Sequence, residues 1–353
     1  MRDEKTITAV GRMGGLDLAR YIAFVGMVIV NFKIAMGAEG DGGFLGHFTN
    51  ALEGRAAATF VVLAGIGLGL SGLKGVSATS LVTIKRALFL LVIGLLNMLI
   101  FDADILHYYA FYFLFGAFLL RLRNPALLGL ILLLNLAFVA MILTLDYDAG
   151  WNWQDYTYSG FWTPTGFVRN LFFNGWHPVI PWLGFLLFGI VLSRMALGER
   201  AVQVMLVLGG ALAFGVAEGL SYVLMPFFTA IDPELAALAT TSPVPPMPLY
   251  TLAGLGAACV VIGLCLLVSE QLENGGVLGL ILPAGRQTLT LYIGHILVGM
   301  GTLEAMGMLG GQTIGQSVLA SFLFCLGATF YALIWSRWFR RGPIEALMRK
   351  IAG

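Results

Sequence analysis

The 353-residue chain is 59% apolar, has a mean hydropathy of +0.89, and carries only 20 Lys and Arg against 19 Asp and Glu. A soluble domain devotes about 25% of its residues to charge; at 11% this composition excludes a soluble enzyme, a disordered chain and a nucleic-acid binder with a basic surface. The net charge of +1 says nothing about partners, because the two faces of a membrane protein are counted separately.

Apolar windows of spanning or near-spanning length, about 20 residues for a helix, run in chain order over Leu18–Met36, Ala56–Leu73, Ile84–Phe101, Ile105–Leu120 and Pro125–Leu145. Five more cover Val179–Leu197, Ala201–Met225, Met247–Ser269, Thr288–Met306 and Gly315–Trp338. They are continuous rather than alternating, which selects helices over barrel strands. The expected fold is all-α: a polytopic membrane bundle of about ten transmembrane helices, with residues 1–353 forming a single integral membrane domain. The opening MRDEKTITAVGR is polar and leads into a run of spanning length, so no cleavable signal peptide is read there.

Lys and Arg collect on the cytoplasmic side of a membrane. With the amino terminus inside and ten spans, 17 of the 20 fall on the inner side, and only Lys33, Arg55 and Arg169 fall outside. Eleven of 19 acidic residues, among them Glu39, Asp41, Glu53, Asp102 and Asp104, fall on the outer side. That separation predicts an even number of spans with both termini cytoplasmic, in a multi-pass protein of the cell (plasma or inner) membrane with lipid as its surroundings.

Three outer connections are long: Gly37–Arg55, Asp146–Pro178 and Pro226–Pro246. The second contains WNWQDYTYSGFW and reads as an ordered interfacial cap rather than a linker. The 46 glycines recur within the spans, where small residues allow close helix contact. Cys259, Cys265 and Cys325 lie in apolar stretches, with neither a disulfide framework nor a CxxC spacing.

Four histidines carry the chemistry. His47 lies in the first outer loop, His107 starts the fourth span, His177 precedes the sixth, and His295 is mid-span in the ninth. Their placement at the outer side or midplane predicts a pocket where imidazoles can move protons near neutral pH. His295 stands out, because a polar ring at bilayer depth is costly and usually functional. Asp102 and Asp104 stand close to His107, where a carboxylate can orient an imidazole and raise its basicity, or simply sit in a solvated loop. Glu53 and Arg55 can pair with each other or cap the second span. Asn31, Lys33 and Glu218 are expected to face the interior, Glu218 as a proton-relay carboxylate or as the partner of an Arg. No histidine pair has ligand spacing, so no metal is assigned. No GxSxG elbow, P-loop or GxGxxG in context appears, which leaves phosphate handling to side chains. Among the inner cations, Arg12, Arg20, Arg86 and Arg286 are the candidates to hold the phosphates of a nucleotide-bearing donor, and Arg20 and Arg286 lead because they sit at the edge of a span.

The opening GRMGGLDLARYIAFVGMVIVNF resembles the Leu-Asp-x-x-Arg-Gly start of the transmembrane acyltransferase superfamily, specifically YeiB-like bacterial proteins and relatives of heparan-α-glucosaminide N-acetyltransferase. EGRAAATFVVLAGIGLGLSG, DILHYYAFYFLFG, NGWHPVIPWLGFLLFGIVLSR, GRQTLTLYIGHIL and RRGPIEALMRK resemble that group in the same order. Tyr21 stands where the family start has Gly. The resemblance implies a bundle of ten or eleven helices that uses acetyl-CoA or another acyl-CoA as cytoplasmic donor and delivers the acyl group to a small-molecule acceptor, a hydroxyl or amine, on the other side. It also implies a catalytic role for His47, which lies in the loop corresponding to that of the family's catalytic histidine. His295, His177, Asp104 and His107 complete the candidate catalytic set. The residues alone leave open a proton-coupled transporter using Glu218 and His295, a non-catalytic scaffold, and whether the protein is a homo-oligomer.

Overall fold

The computed structural model describes residues 13–38, 43–73 and 75–353. It is built almost wholly of helices, in the order α1 (Gly14–Ala35), α2 (Phe44–Leu52), α3 (Arg55–Gly72), α4 (Val76–Asn97), α5 (Leu106–Leu119) and α6 (Asn124–Thr144). A two-stranded hairpin follows, β1 (Trp151–Asn152) and β2 (Thr157–Tyr158), with Trp151 opposite Tyr158. Next come α7 (Pro164–Arg169), a π-helical turn Asn170–Asn174, α8 (Val179–Leu192), α9 (Arg200–Ile231) and a 3-10 segment Pro233–Ala239. The chain closes with α10 (Pro248–Asn274), α11 (Val277–Gly285), α12 (Thr288–Gly294), a π-helical stretch His295–Met300, α13 (Gly301–Ala305), α14 (Ile314–Trp335) and α15 (Pro343–Ala352).

Each of the ten apolar windows coincides with helix, but they are unequal in length. Among the described residues, seven helical stretches are long and apolar enough to cross a membrane: α1, α2 with α3, α4, α6, α9, α10 and α14. The α7–α8 pair, bent by 52°, makes an eighth if it is one span. Two windows fall short for physical reasons: α5 has 14 residues, and Thr288–Ala305 is divided by its π stretch.

The core is assembled by α1, α3, α5, α8 and α10, whose side chains Phe24, Val61, Tyr112, Phe185, Leu186 and Ile262 are fully buried. The periphery is as apolar as the core. Leu132, Leu133 and Leu136 on α6, Leu208 and Leu212 on α9, and Leu323 and Phe330 on α14 are exposed. An apolar belt on that scale has acyl chains as its natural solvent, and the chain is a multi-pass membrane bundle.

The Asp146–Pro178 connection is an ordered cap. Trp151 stacks on Trp153, and Tyr158 and Trp176 meet them edge-on, at centroid distances of 4.5–6.5 Å. Buried Asn174 fastens the cap by donating to the carbonyls of Tyr147 and Ala149 and accepting from Tyr158. The first long connection also contains structure that its sequence did not announce, the amphipathic helix α2.

Candidate functional site

Two groups of polar side chains lie at opposite ends of the bundle, with α1 contributing to both. At the end bearing α2 and the cap, Asp104 is fully buried in the turn between α4 and α5. One carboxylate oxygen accepts from Asn97 Nδ2 at 2.6 Å and from the Tyr292 hydroxyl at 3.2 Å. The other accepts from the backbone amides of Leu106 at 2.8 Å and His107 at 3.3 Å. Asp104 thus caps the start of α5, where the exposed amides and the helix dipole favour an anion. The solvated-loop reading of Asp104 is thereby replaced, whereas its neighbour Asp102 does stay exposed.

The same carboxylate stands behind His107, whose Nδ1 is 3.5 Å from Asp104 Oδ2. His107 is fully buried, and neither ring nitrogen has a hydrogen-bond partner. Gly94 of α4 makes this placement possible: a Cβ there would lie 2.3 Å from the His107 backbone nitrogen. On its far side the imidazole packs at a tilt against Tyr108, with centroids 3.8 Å apart, and Tyr108 meets His177 at 5.8 Å. His177 is held through its backbone, its carbonyl accepting from the Tyr112 hydroxyl at 2.5 Å.

Tyr292 links Asp104 to the ninth predicted span. Its ring lies 4.8 Å from that of His295, and His295 Nδ1 faces the Tyr292 carbonyl. That contact assigns the proton to Nδ1, leaving the Nε2 lone pair to accept from Asn31 Nδ2 of α1 at 2.9 Å. His295 also opens the π-helical stretch, a local widening often found at functional sites. Asp104, His107 and His295 therefore belong to one buried assembly, with His177 joined through Tyr108. His47 stands apart: it is exposed on α2, which packs on α1, α3 and α14, and its imidazole makes no hydrogen bond among the described residues. A cavity of about 230 Å³ at this end is lined by Asp102 and the aromatic cap, and none of the four histidines borders it.

Here too lie the three cations that depart from the charge separation, and each has a local partner. Lys33 donates to Glu53 at 2.7 Å and Asn50 at 2.5 Å. Arg55 donates to Glu218 at 2.5 Å and lies over the Phe214 ring. Arg169 donates to the Tyr158 hydroxyl at 2.7 Å. Glu53 and Arg55 therefore do not pair with each other. Glu218, bonded also by Thr241, is the partner of an arginine, which removes the observation that favoured a proton path through it.

At the opposite end, Asp17 in the first turn of α1 is fully buried. Arg20 Nη1 donates to one of its oxygens at 2.6 Å and Arg286 Nε to the other at 3.2 Å. Gly285 permits the approach, since a Cβ there would lie 2.1 Å from the Asp17 carbonyl oxygen. Asp17 was not among the candidates, although it is the acidic member of the Leu-Asp-x-x-Arg start. Arg86 differs from this pair: it forms no ion pair among the described residues, its Nε is buried without a partner, and the charges of Arg349 and Arg341 act on it from α15 and the turn before it. Arg12 lies outside the described residues. Among the described residues no three His, Cys, Asp or Glu side chains come together as a metal site.

Residues 12–214 match the family model described as heparan-alpha-glucosaminide N-acetyltransferase, catalytic, and residues 191–353 match the one described as protein of unknown function (DUF418). No curated protein and no solved structure gives a match.

Proposed function

The chain belongs to the heparan-α-glucosaminide N-acetyltransferase family of transmembrane acetyltransferase-like proteins, and on that premise we propose that it transfers an acyl group, acetyl foremost, from acyl-CoA to a hydroxyl or amine acceptor across the bilayer. The observation that carries this reading is the pair of polar centres on α1, Asp17 with Arg20 at one end and Asn31 bonded to His295 toward the other. Fourteen helical residues at about 1.5 Å each put roughly 20 Å between them, a sizeable part of a bilayer core.

In this proposal the donor phosphates lie at the arginine end. Arg86, flanked by Arg341 and Arg349 and in no ion pair among the described residues, suits a polyanion best. Arg20 and Arg286 share Asp17 and act as a preset edge of that surface. At the other end, a histidine takes the proton from the acceptor O–H or N–H as its lone pair attacks the thioester carbonyl; the C–S bond breaks and the CoA thiolate leaves, collecting a proton. His107 has the geometry of an imidazole backed by a carboxylate, and His295 holds a neutral tautomer with its Nε2 lone pair directed at Asn31. His47, exposed and in the loop that the family resemblance singles out, is the residue best placed to meet a solvent-borne acceptor. In this proposal an even number of spans, with both termini cytoplasmic in the cell membrane, orients the arginine end toward cytoplasmic CoA.

The test is acceptor-dependent appearance of free CoA thiol when purified protein is given acetyl-CoA. Failure to bind acetyl-CoA, together with uptake of a solute into proteoliposomes without donor, selects a transporter instead.

A further inference from the structure

The cavity of about 230 Å³ beneath the cap is lined by Trp151, Tyr158, Phe161 and Trp162, with Asp102 as its charged group. Small-molecule pockets run from about 300 to 1,000 Å³, so this one suits a compact group rather than an extended chain. Of its other polar side chains, the Thr163 hydroxyl donates to the Gly160 carbonyl and caps α7, and Asn170 Oδ1 accepts from Tyr108. Asp102, the carboxylate of the lining, has no hydrogen bond or ion pair among the described residues. Its partial burial pushes the carboxyl above its ordinary range, a cost that a bound cation would reverse.

Ring faces carry negative electrostatic potential and attract cations, most strongly when those cations are weakly hydrated. The surrounding segment has the same sign, with Asp146, Asp148 and Asp155 and no Lys or Arg between residues 146 and 168. Arg169, the next cation along the chain, is already seated over the Tyr158 ring, an example within the chain of the chemistry this cap supports. A polyhydroxy ligand would instead require several convergent polar groups, whereas this lining is mainly aromatic and apolar.

We propose that this cavity is a binding site for a compact organic cation of the alkylammonium class, held by Asp102 and the rings of Trp151 and Trp162. The site is distinct from the buried histidine assembly but adjoins it, since the Phe161 ring that lines the cavity packs edge-on against His107 at 5.7 Å. An ammonium nitrogen has no lone pair for acyl transfer, so the cation is an anchor and not the reacting group. Its source is either a lipid head group or a free small molecule.

Choline and its uncharged isostere 3,3-dimethyl-1-butanol are titrated into the full chain in phosphatidylglycerol nanodiscs, without acyl donor, by calorimetry and tryptophan fluorescence. Choline is expected to bind about tenfold more tightly than the isostere, as one good cation–π and charge contact supplies. Asp102→Asn should bring the two ligands to within about threefold of each other, and Trp162→Phe, at an exposed position, should weaken choline binding while leaving the fold intact. Equal binding of the isostere to the wild type, no binding of choline, or a cation preference that survives Asp102→Asn overturns the proposal. Nanodiscs containing phosphatidylcholine separate the sources: suppression of choline binding identifies a lipid head group, and unchanged binding a free cation. Because no donor is present, loss of acyl transfer as a function leaves this outcome unaffected.

Discussion

Arg286 Nε donates to the Asp17 carboxylate across 269 positions of sequence, while Arg20 holds the other oxygen of that carboxylate from one turn away. The three groups are unequally shielded: Asp17 is fully buried, Arg20 is 25% exposed and Arg286 40% exposed. Exposed pairs contribute about 0–1 kcal/mol, whereas removing one partner of a buried pair costs about 3–5 kcal/mol. Arg286→Ala should therefore cost under about 1 kcal/mol. Arg20→Ala should cost about 3 kcal/mol, because it strips the closer cation from a buried charge. Asp17→Asn, which removes that charge, should fall between them. Thermal unfolding in detergent gives the ranking, and a larger loss for Arg286→Ala than for Arg20→Ala contradicts it.

Donor binding should rank the arginines differently. Hydrogen bonds to charged groups are worth about 1.5–3 kcal/mol, so Arg86→Ala should weaken acetyl-CoA binding roughly tenfold or more. Arg286→Ala should weaken it less, since Asp17 already shares that charge. Calorimetry with acetyl-CoA checks both. Affinity unchanged in both variants reduces these residues to topological anchors.

The histidines separate by exposure. His47 is on the surface of α2, so His47→Ala should leave the unfolding temperature unchanged. If His47 is the base, turnover falls by about 10²- to 10⁴-fold with donor binding retained. His295→Ala should reduce both activity and stability, because it leaves the half-buried Asn31 amide without its acceptor, at about 1 kcal/mol. Full acyl transfer by either variant removes that histidine from the chemistry.

The helical spans were legible because continuous apolar runs admit few alternatives in a bilayer. The signals that failed are those set by contacts between distant segments. Asp17 reads as one acidic residue in a helix start, and nothing local reveals that Arg286 returns to it. The short helix α2 is hidden inside a connection whose Gly and Asp content suggests a loop. That His295 lies within an apolar window was readable from hydropathy; that its Nε2 faces Asn31 and that Tyr292 ties it to Asp104 depend on how α1, α5 and α12 pack. For the same reason Glu218 could not be assigned before Arg55 was seen beside it.

Orientation is testable at exposed sites in two of the three connections expected to lie outside. The three native cysteines are buried, which keeps background reaction low. Phe44→Cys and Trp162→Cys, at positions 81% and 62% exposed, should react with an impermeant maleimide in intact cells. Protection of both until lysis reverses the proposed topology.

Glu345 of α15 gives the pH dependence. Its carboxylate accepts from the backbone amides of Leu289 and Thr290 and from the Thr290 hydroxyl, tying α15 to the start of α12. Burial nevertheless outweighs these bonds and pushes its carboxyl above the ordinary value of 4.5. The folded chain therefore keeps this proton over a range in which the unfolded chain has lost it. Stability from this group is fully present below the unfolded value and is lost as pH rises through the raised, folded value. Glu345→Gln does not titrate, so the wild-type advantage in unfolding temperature over this variant should be largest in acid and shrink to a constant as pH rises toward neutrality. Paired melts of the two proteins across that range cancel the contributions of other groups. An advantage that grows with pH means that the hydrogen bonds from α12 outweigh the burial, and that the shift has the opposite sign.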